Sequence, residues 1–187
     1  MRTYLTRLRE ARESQAEEGF TLIELLVVLL ILGILLAIAI PTFLTVTKSA
    51  TNTAASSNLQ TALTGAETYY TTNNGSYASI LTSKSISNIT QEGTGLSYVT
   101  TASTAAGVIS VDYVDANDIV LAAWNGSSRC YAIAAQKTSS GLTSTFTHLP
   151  TAVGTYYGWY AATTNSTCTA SGASAVTNWQ ETGGFPK

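Results

Sequence analysis

A single apolar run near the N-terminus constrains this chain more than any other feature. No polar side chain occurs from Leu25 to Ile40, and crossing the hydrocarbon core of a bilayer takes about 20 residues of α-helix. The wider stretch 20–44 reaches that length if Thr21 and Glu24 lie near one membrane interface. The run therefore predicts a membrane-spanning helix that carries an acidic residue at its edge.

The helical pattern continues beyond the apolar run, into residues 45–72. Small or apolar residues recur there at helical spacing and mark one face: Ala55, Leu59, Ala62, Leu63, Ala66 and Tyr70. An Asn-Asn-Gly sequence at 73–75 supplies a stop signal. We therefore predict one long helix from Phe20 to about Thr71 that is apolar all round in its first half and amphipathic in its second.

The later part of the chain has the composition of short β-strands. Stretches bounded by Gly, Asn, Asp or Ser predict strands at 96–102, 108–114, 118–124, 129–136 and 155–162. The sequences "AAG" and "NGSS" are predicted hairpin turns between them. The predicted fold class is α+β, with the long helix packed on a small, mostly antiparallel sheet. Four aromatic residues are expected to pack this head on the helix: Tyr156, Tyr157, Trp159 and Tyr160.

Charge is scarce outside the N-terminus. Charged residues make up 11% of the chain and are concentrated in residues 1–19, and the formal net charge is −2. The absence of a Lys/Arg cluster argues against nucleic acid as a partner. A surface of Thr, Ser, Asn, Gly and Ala lacks the charge repulsion that keeps proteins apart, which suits a protein that packs against copies of itself. No constellation of His, Cys and carboxylate residues indicates an enzyme, and no cofactor is expected.

The stretch "GFTLIELLVVLLILGILLAIAIP" resembles the N-terminus of type IV prepilins and the related pseudopilins. In that family a glycine precedes the cleavage point, matched by Gly19, and the first mature residue is usually a methylated phenylalanine, matched by Phe20. A glutamate is the fifth mature residue, matched by Glu24. Gly33 and Pro41 match the two positions that interrupt the family's helix. The stretch 66–79 also resembles the helix exit common in these proteins.

The resemblance implies an organisation and a life history for the chain. It implies a prepilin leader at 1–19, a transmembrane and filament-core helix at 20–44, an amphipathic helix half at 45–72 and a β-rich head at 73–187. The chain would be a single-pass prepilin of the cytoplasmic membrane and then part of an extracellular pilus. Its implied partners are the lipid bilayer, a prepilin peptidase and methylase, an assembly ATPase with membrane platform proteins, and other copies of itself.

Glu24 has a candidate role in this scheme. Cleavage after Gly19 frees an α-amino group on Phe20, which is charged near neutral pH. A lone charge in an apolar environment is costly unless it is paired. Glu24 of the same chain or of the next subunit can supply the counter-charge, and the resemblance implies the intermolecular pairing. The simpler alternative is that Glu24 lies at the headgroup level of the bilayer.

Other interpretations of the same residues stay open. Ala37-Ile38-Ala39 resembles the cleavage site of an ordinary secretory signal peptide, and a plain single-span anchor also explains the apolar run. Within the pilin-like interpretation, the main prediction is a structural subunit of a type IV pilus. The alternatives are a pseudopilin of a type II secretion or competence system and a minor pilin that acts as an adhesin.

The remaining candidate sites lie in the predicted head. If the apolar run directs export, Cys130 and Cys168 form a disulfide, because that compartment is oxidising and their wide separation does not fit a CxxC motif. A cluster of aspartates suggests either calcium or an ordinary turn between strands: Asp112, Asp115 and Asp118. Asn-x-Ser/Thr sequences are expected by chance in so Ser/Thr-rich a chain: Asn74, Asn88, Asn125 and Asn165. His148 is predicted to be a surface residue.

Overall fold

A computed structural model describes the chain at residues 19–82, 95–112, 115–139, 142–181 and 184–186. The predicted leader, apart from Gly19, and the Asn88 sequence lie outside these described residues. The chain divides into two compact units, Met1–Thr45 and Val46–Lys187. The four segment boundaries expected from sequence remain predictions.

The long helix α1 spans Leu22–Thr72, close to its predicted bounds. Within the first unit it carries the apolar run, and every large apolar side chain from Phe20 to Leu44 is exposed. Within the second unit its buried residues repeat at helical spacing and face the head: Ala55, Leu59, Ala62, Gly65, Ala66 and Tyr69. The change from uniform apolarity to one apolar face therefore follows the sequence pattern.

The predicted stop signal ends α1. Asn74 and Gly75 have positive φ values of 55° and 70°, the left-handed conformation that terminates many helices. The Gly75 amide donates to the Tyr70 carbonyl at 2.9 Å and thereby satisfies a carbonyl of the last turn. One turn of helix, α2, follows at Ser79–Thr82.

The described residues contain five strands, which form one sheet in chain order. They are β1 (Ser97–Val99), β2 (Val108–Asp112), β3 (Ile119–Trp124), β4 (Arg129–Gln136) and β5 (Gly154–Ala161). The pairs from β2 to β5 are antiparallel. The predicted α+β class, with a mostly antiparallel sheet, is confirmed.

The predicted "AAG" hairpin turn is wrong, because β1 and β2 are parallel. The connection between them turns back before it enters β2, and Ser103 is buried within it. The Ser103 amide donates to the Cys168 carbonyl at 2.7 Å, and its hydroxyl accepts the Trp124 amide at 2.9 Å. These long-range bonds hold the connection in a path that a two-stranded hairpin does not allow.

The "NGSS" turn between β3 and β4 is confirmed. Asn125 Oδ1 accepts three successive amides of the turn, from Ser127, Ser128 and Arg129, at 2.9–3.0 Å. The side-chain nitrogen of Asn125 donates to Asn52 Oδ1 of α1 at 2.7 Å. One asparagine thus shapes the turn and joins it to the helix.

The sheet is buried on both faces. One face packs against α1 through alternate residues of the central strands: Ile119, Leu121, Ala123, Tyr131, Ile133 and Ala135. The intervening residues face the β4–β5 connection and the segments after β5 instead: Val120, Ala122, Cys130, Ala132 and Ala134. Burial on both faces explains why β3 and β4 are almost continuously apolar in sequence.

The aromatic residues of β5 divide between the two faces. Tyr157 and Trp159 pack on the helix side, as predicted. Tyr156 and Tyr160 lie in the opposite core, so the prediction that they also pack on the helix is wrong. Side chains alternate across a strand, and a second apolar layer exists to receive the other pair.

That second layer consists of the β4–β5 connection and the segments after β5, whose described residues belong to no strand of the sheet. It contributes Leu142, Phe146, Leu149, Ala170, Ala173 and Val176 to the second core. The predicted disulfide joins this layer to β4: Cys130 and Cys168 are bonded, fully buried and 5.3 Å apart at Cα. The Tyr160 hydroxyl donates to the Thr169 carbonyl at 2.8 Å and accepts the Thr169 amide at 2.9 Å.

Residues 176–181 and 184–186 pack along β5, at its outer edge and on both of its faces. Gln180 exchanges two backbone hydrogen bonds with Tyr157, at 2.8 and 2.9 Å. On one side of the strand, Val176 and Trp179 lie directly over Gly158. On the other side, the Phe185 ring makes edge contacts with Tyr131 and Tyr157, at centroid distances of 5.1 and 5.4 Å.

Threonine hydroxyls along the exposed side of α1 donate to carbonyls of the preceding turn. Within the second unit these donors are Thr51, Thr53, Thr61, Thr64, Thr68 and Thr71. Their donor–acceptor distances are 2.8–3.1 Å. The hydroxyls are therefore satisfied by the helix itself, which leaves the γ-methyl groups as the outer surface.

The disulfide should stabilise the head. Closing a loop with a sequence separation of 38 is worth roughly 4 kcal/mol in the chain-entropy model. We expect the unreduced protein to contain no free thiol, and the double variant Cys130→Ala/Cys168→Ala to unfold at a clearly lower denaturant concentration. Thiol titration and denaturant unfolding of the detergent-solubilised protein measure both. Two reactive thiols in the unreduced protein would contradict the expectation.

Gly158 should not tolerate a side chain. A Cβ at this position would lie 2.4 Å from Val176 Cγ1 and 3.2 Å from Trp179, and buried β-branched Val176 has little rotamer freedom. We expect Gly158→Ala to destabilise the head by about 1–3 kcal/mol. Gly107→Ala is the matched control, because a Cβ there meets nothing within 4 Å. Equal unfolding midpoints for the two variants would refute this packing account.

Candidate assembly site at the start of the long helix

The predicted cleavage point lies just outside α1. Gly19 and Phe20 precede the helix, which begins at Leu22, and both are exposed. A Cβ built on Gly19 meets nothing within 4 Å. The peptide bond between them therefore lies in non-helical, accessible backbone, the form in which a protease can bind a peptide.

Thr21 and Glu24 form a reciprocal capping box at the helix start. The Thr21 hydroxyl accepts the Glu24 amide at 3.2 Å. In return, Glu24 Oε2 accepts the Thr21 amide at 2.9 Å and the Thr21 hydroxyl at 2.7 Å. Thr21 is the N-cap residue and Glu24 occupies the third helical position, so two amides that lack a helical partner are satisfied.

The carboxylate is held by one oxygen only. Both Thr21 donors reach Oε2, and no described residue donates to Oε1. Glu24 is exposed and no described basic side chain forms an ion pair with it; the ion pair found among the described residues joins Lys137 to Glu67 in the head. One oxygen of the carboxylate is therefore available to a donor from outside the chain.

The capping box was missed by the sequence interpretation, although its signal is present. A Thr-x-x-Glu sequence directly before an apolar run is the pattern of a capping box. The sequence "TLIE" at residues 21–24 has that pattern. From sequence, Glu24 was expected only to pair with the Phe20 ammonium group or to lie at the headgroup level of the bilayer.

No described residue of its own unit covers the apolar helix. Large apolar side chains on every side of α1 between Phe20 and Leu44 are exposed. Among the described residues, one helix is long and apolar enough to cross a membrane, judged by length and composition, and it is α1. Exposed apolar surface of this extent indicates contact with lipid or with another protein.

Gly33 and Pro41 lie within α1, which continues through both positions. Pro41 has no amide to donate to the Ala37 carbonyl. The next residue adds a donor to this region: the Thr42 hydroxyl donates to the carbonyls of Ile38 and Ala39, at 3.1 and 2.9 Å. The Ala37 carbonyl is not among these acceptors, so the Thr42 hydroxyl is satisfied by the helix without replacing the bond that Pro41 removes.

Asp115 and Asp118 accept hydrogen bonds that shape turns of the head. Asp115 Oδ1 accepts the amides of Asn117 and Asp118. Asp118 is fully buried and accepts the Lys137 and Thr138 amides and the Thr138 hydroxyl. The described residues contain no group of three His, Cys, Asp or Glu side chains placed to bind a metal. The side chain of Asp112 lies outside the described part.

A polar cluster closes the end of α1 against the sheet. Lys137 pairs with Glu67 Oε2 at 2.7 Å, and the Tyr77 hydroxyl donates to Glu67 Oε1 at 3.2 Å. Burial, followed by the adjacent Glu67 carboxylate, raises the pKa of Tyr77, so this hydroxyl remains a donor. The cluster joins three elements of the head and has a structural role.

The Asn-x-Ser/Thr sequences differ in accessibility. Asn125 is buried and its side-chain nitrogen is already bonded to Asn52, which leaves it unsuited to modification. Asn74 and Asn165 are exposed, the first at the left-handed end of α1 and the second in a short 3-10 helix at Asn165–Thr167. His148 is exposed, as predicted.

Comparison with known proteins gives one match. The family model described as the prokaryotic N-terminal methylation motif matches residues 15–40. No curated protein and no solved structure matches the chain at a significant level. The matched range contains Gly19, Phe20 and the capping box and ends within the apolar part of α1. This motif, followed by the long apolar helix, fits a type IV pilin-like protein, of the kind that includes prepilins and pseudopilins.

Proposed function

We propose that the chain is a structural subunit of a type IV pilus filament. The observation that carries this proposal is the methylation motif at the head of a helix whose apolar surface is exposed on all sides. The motif implies processing by a prepilin peptidase and assembly into a fibre. The motif and the apolar helix also agree with a chain that is anchored in a membrane before assembly and exposed at the cell surface afterwards.

Processing comes first in the proposed sequence of events. The peptidase cuts the bond between Gly19 and Phe20 and methylates the new amino group of Phe20. Support comes from the exposed, non-helical backbone at these two residues. Nothing downstream of the cut has to unfold, because α1 begins at Leu22.

Assembly then transfers α1 from lipid to protein. In the proposed filament its apolar surface contacts the helices of other copies, and the head lies outward. Both surroundings are apolar, so little hydrophobic free energy is lost in the transfer. The chain carries out no chemistry in this scheme. A separate assembly ATPase and its membrane platform supply the energy.

Glu24 is proposed to pair with the Phe20 ammonium group of a neighbouring copy. A charged amine in apolar surroundings requires a counter-charge, and the exposed carboxylate has one oxygen uncommitted among the described residues. The pairing would fix the axial position of each incoming subunit. Gly33 and Pro41 are proposed as the positions at which α1 yields most readily during this rearrangement.

A pseudopilin and a minor pilin with an adhesive head share the same motif. The disulfide-bonded head with two cores favours a full pilin, because such a head withstands exposure outside the cell. Abundance in sheared surface fibres separates the three roles. A major pilin dominates the sheared fraction, a minor pilin is a trace component, and a pseudopilin is absent.

The mature protein should begin at Phe20 and carry an N-methyl group. Intact mass and N-terminal sequencing of envelope and sheared fractions measure this directly. Gly19→Val should block cleavage. It places a β-branched side chain beside the bond to be cut, where the space that the peptidase would use is open in the wild type. A mature chain that starts at Ile40 would replace the proposal with ordinary secretion.

Glu24→Ala should accumulate in the membrane and yield few or no fibres. Removing the carboxylate eases membrane insertion, whereas the ammonium group of the neighbour loses its partner. Glu24→Gln keeps the size and should also assemble poorly, because it lacks the charge. Fibres are measured by electron microscopy and by immunoblots of sheared against membrane fractions. Normal fibre yield from Glu24→Ala at wild-type membrane levels would show that the carboxylate has no assembly role.

A further inference from the structure

The two carboxylate oxygens of Glu24 differ in their hydrogen bonding within the capping box. Oε2 is bound by the amide and the hydroxyl of Thr21, at 2.9 and 2.7 Å. Oε1 has no donor among the described residues. A glutamate on a helix surface ordinarily samples several rotamers, and these two bonds restrict it to one.

The box uses no atom that processing would remove. Its four groups belong to Thr21 and Glu24, which both follow the Gly19–Phe20 bond. The amide of Thr21 remains an amide after the proposed cleavage, because the Phe20–Thr21 bond is not cut. The same geometry is therefore available to the mature chain.

We propose that Thr21 is a positioning residue for subunit docking. It fixes Oε2 and thereby presents Oε1 to the ammonium group of a second copy. Because the carboxylate is already ordered, pairing costs less conformational entropy than it would with a free side chain. This inference rests on the proposed function, in which Glu24 pairs with a neighbour.

Thr21→Val tests the proposal, because it keeps the shape of threonine and removes the hydroxyl. We expect wild-type membrane levels and a normal Phe20 N-terminus, but about tenfold fewer fibres, the usual effect of losing a hydrogen bond to a charged group. Thr21→Ser keeps the hydroxyl and should restore the yield. Normal fibre yield from Thr21→Val would overturn the proposal.

Thr42→Val is the matched control for the loss of a hydroxyl from the same apolar helix. The Thr42 hydroxyl donates only to the carbonyls of Ile38 and Ala39. We expect its fibre yield to stay close to that of the wild type. An equal loss from Thr42→Val and Thr21→Val would overturn the proposal, since the effect would then belong to any hydroxyl of the helix.

Thr21→Gly separates positioning from helix capping. Glycine is about as good an N-cap as threonine, but it has no hydroxyl to donate to Oε2, and it adds no charge beside Glu24. We expect it to reach the membrane and to assemble as poorly as Thr21→Val. Wild-type fibre yield from Thr21→Gly would mean that Thr21 serves only to begin the helix, and would overturn the proposal.

Two further measurements distinguish failure of this inference from failure of the proposed function. If Glu24→Ala forms normal fibres, the assembly role of the carboxylate fails, and that of Thr21 with it. If Glu24→Ala fails and Thr21→Val succeeds, only the role of Thr21 fails.

A readout independent of fibres is the isotope-edited infrared band of the Glu24 carboxylate in detergent. The band should change in Thr21→Val but not in Thr42→Val. An unchanged band in Thr21→Val would overturn the proposal that the Thr21 hydroxyl positions the carboxylate.

Discussion

The apolar side chains of α1 are exposed among the described residues of its unit, and most of what can be said about this protein depends on that fact. Between Phe20 and Leu44 the helix exposes large apolar side chains in every direction. Such a surface is unfavourable in water, so it requires a bilayer or other protein surfaces. Thr21 and Glu24 lie at the start of this apolar surface. Their hydrogen bonds and charge therefore carry large free energies, because both are stronger in apolar surroundings than in water.

The head meets a different physical requirement, because it must hold together with few charged residues. Its sheet is covered on both faces, by α1 on one side and by the β4–β5 connection and the segments after β5 on the other. Those segments form no strands of the sheet, so fixed contacts must hold them in place. The buried disulfide, the Tyr160 hydroxyl and the residues over Gly158 provide such contacts.

Local patterns in the sequence predicted the elements of the fold. The helix and its stop were visible in helical spacing and in Asn-Asn-Gly, and β4 was predicted at its observed bounds. The parallel pairing of β1 with β2 was missed, because it depends on Ser103 and its bonds to Trp124 and Cys168, which are distant in sequence. Tyr156 and Tyr160 were assigned to the wrong core for a similar reason: the layer that covers them consists of irregular segments, which have no periodic signal. At the candidate site, sequence indicated Gly19, Phe20 and Glu24, but the division of the two carboxylate oxygens required side-chain geometry.

The threonines of α1 make the second half of the helix less polar than its composition indicates. In water, an exposed hydroxyl gives up hydrogen bonds with solvent when another surface covers it, and an unsatisfied donor then costs free energy. Here the hydroxyls already donate to backbone carbonyls, as Thr61 and Thr64 illustrate. Covering this face would remove water mainly from methyl groups, so the desolvation cost would be closer to that of a row of valines than to that of a row of serines.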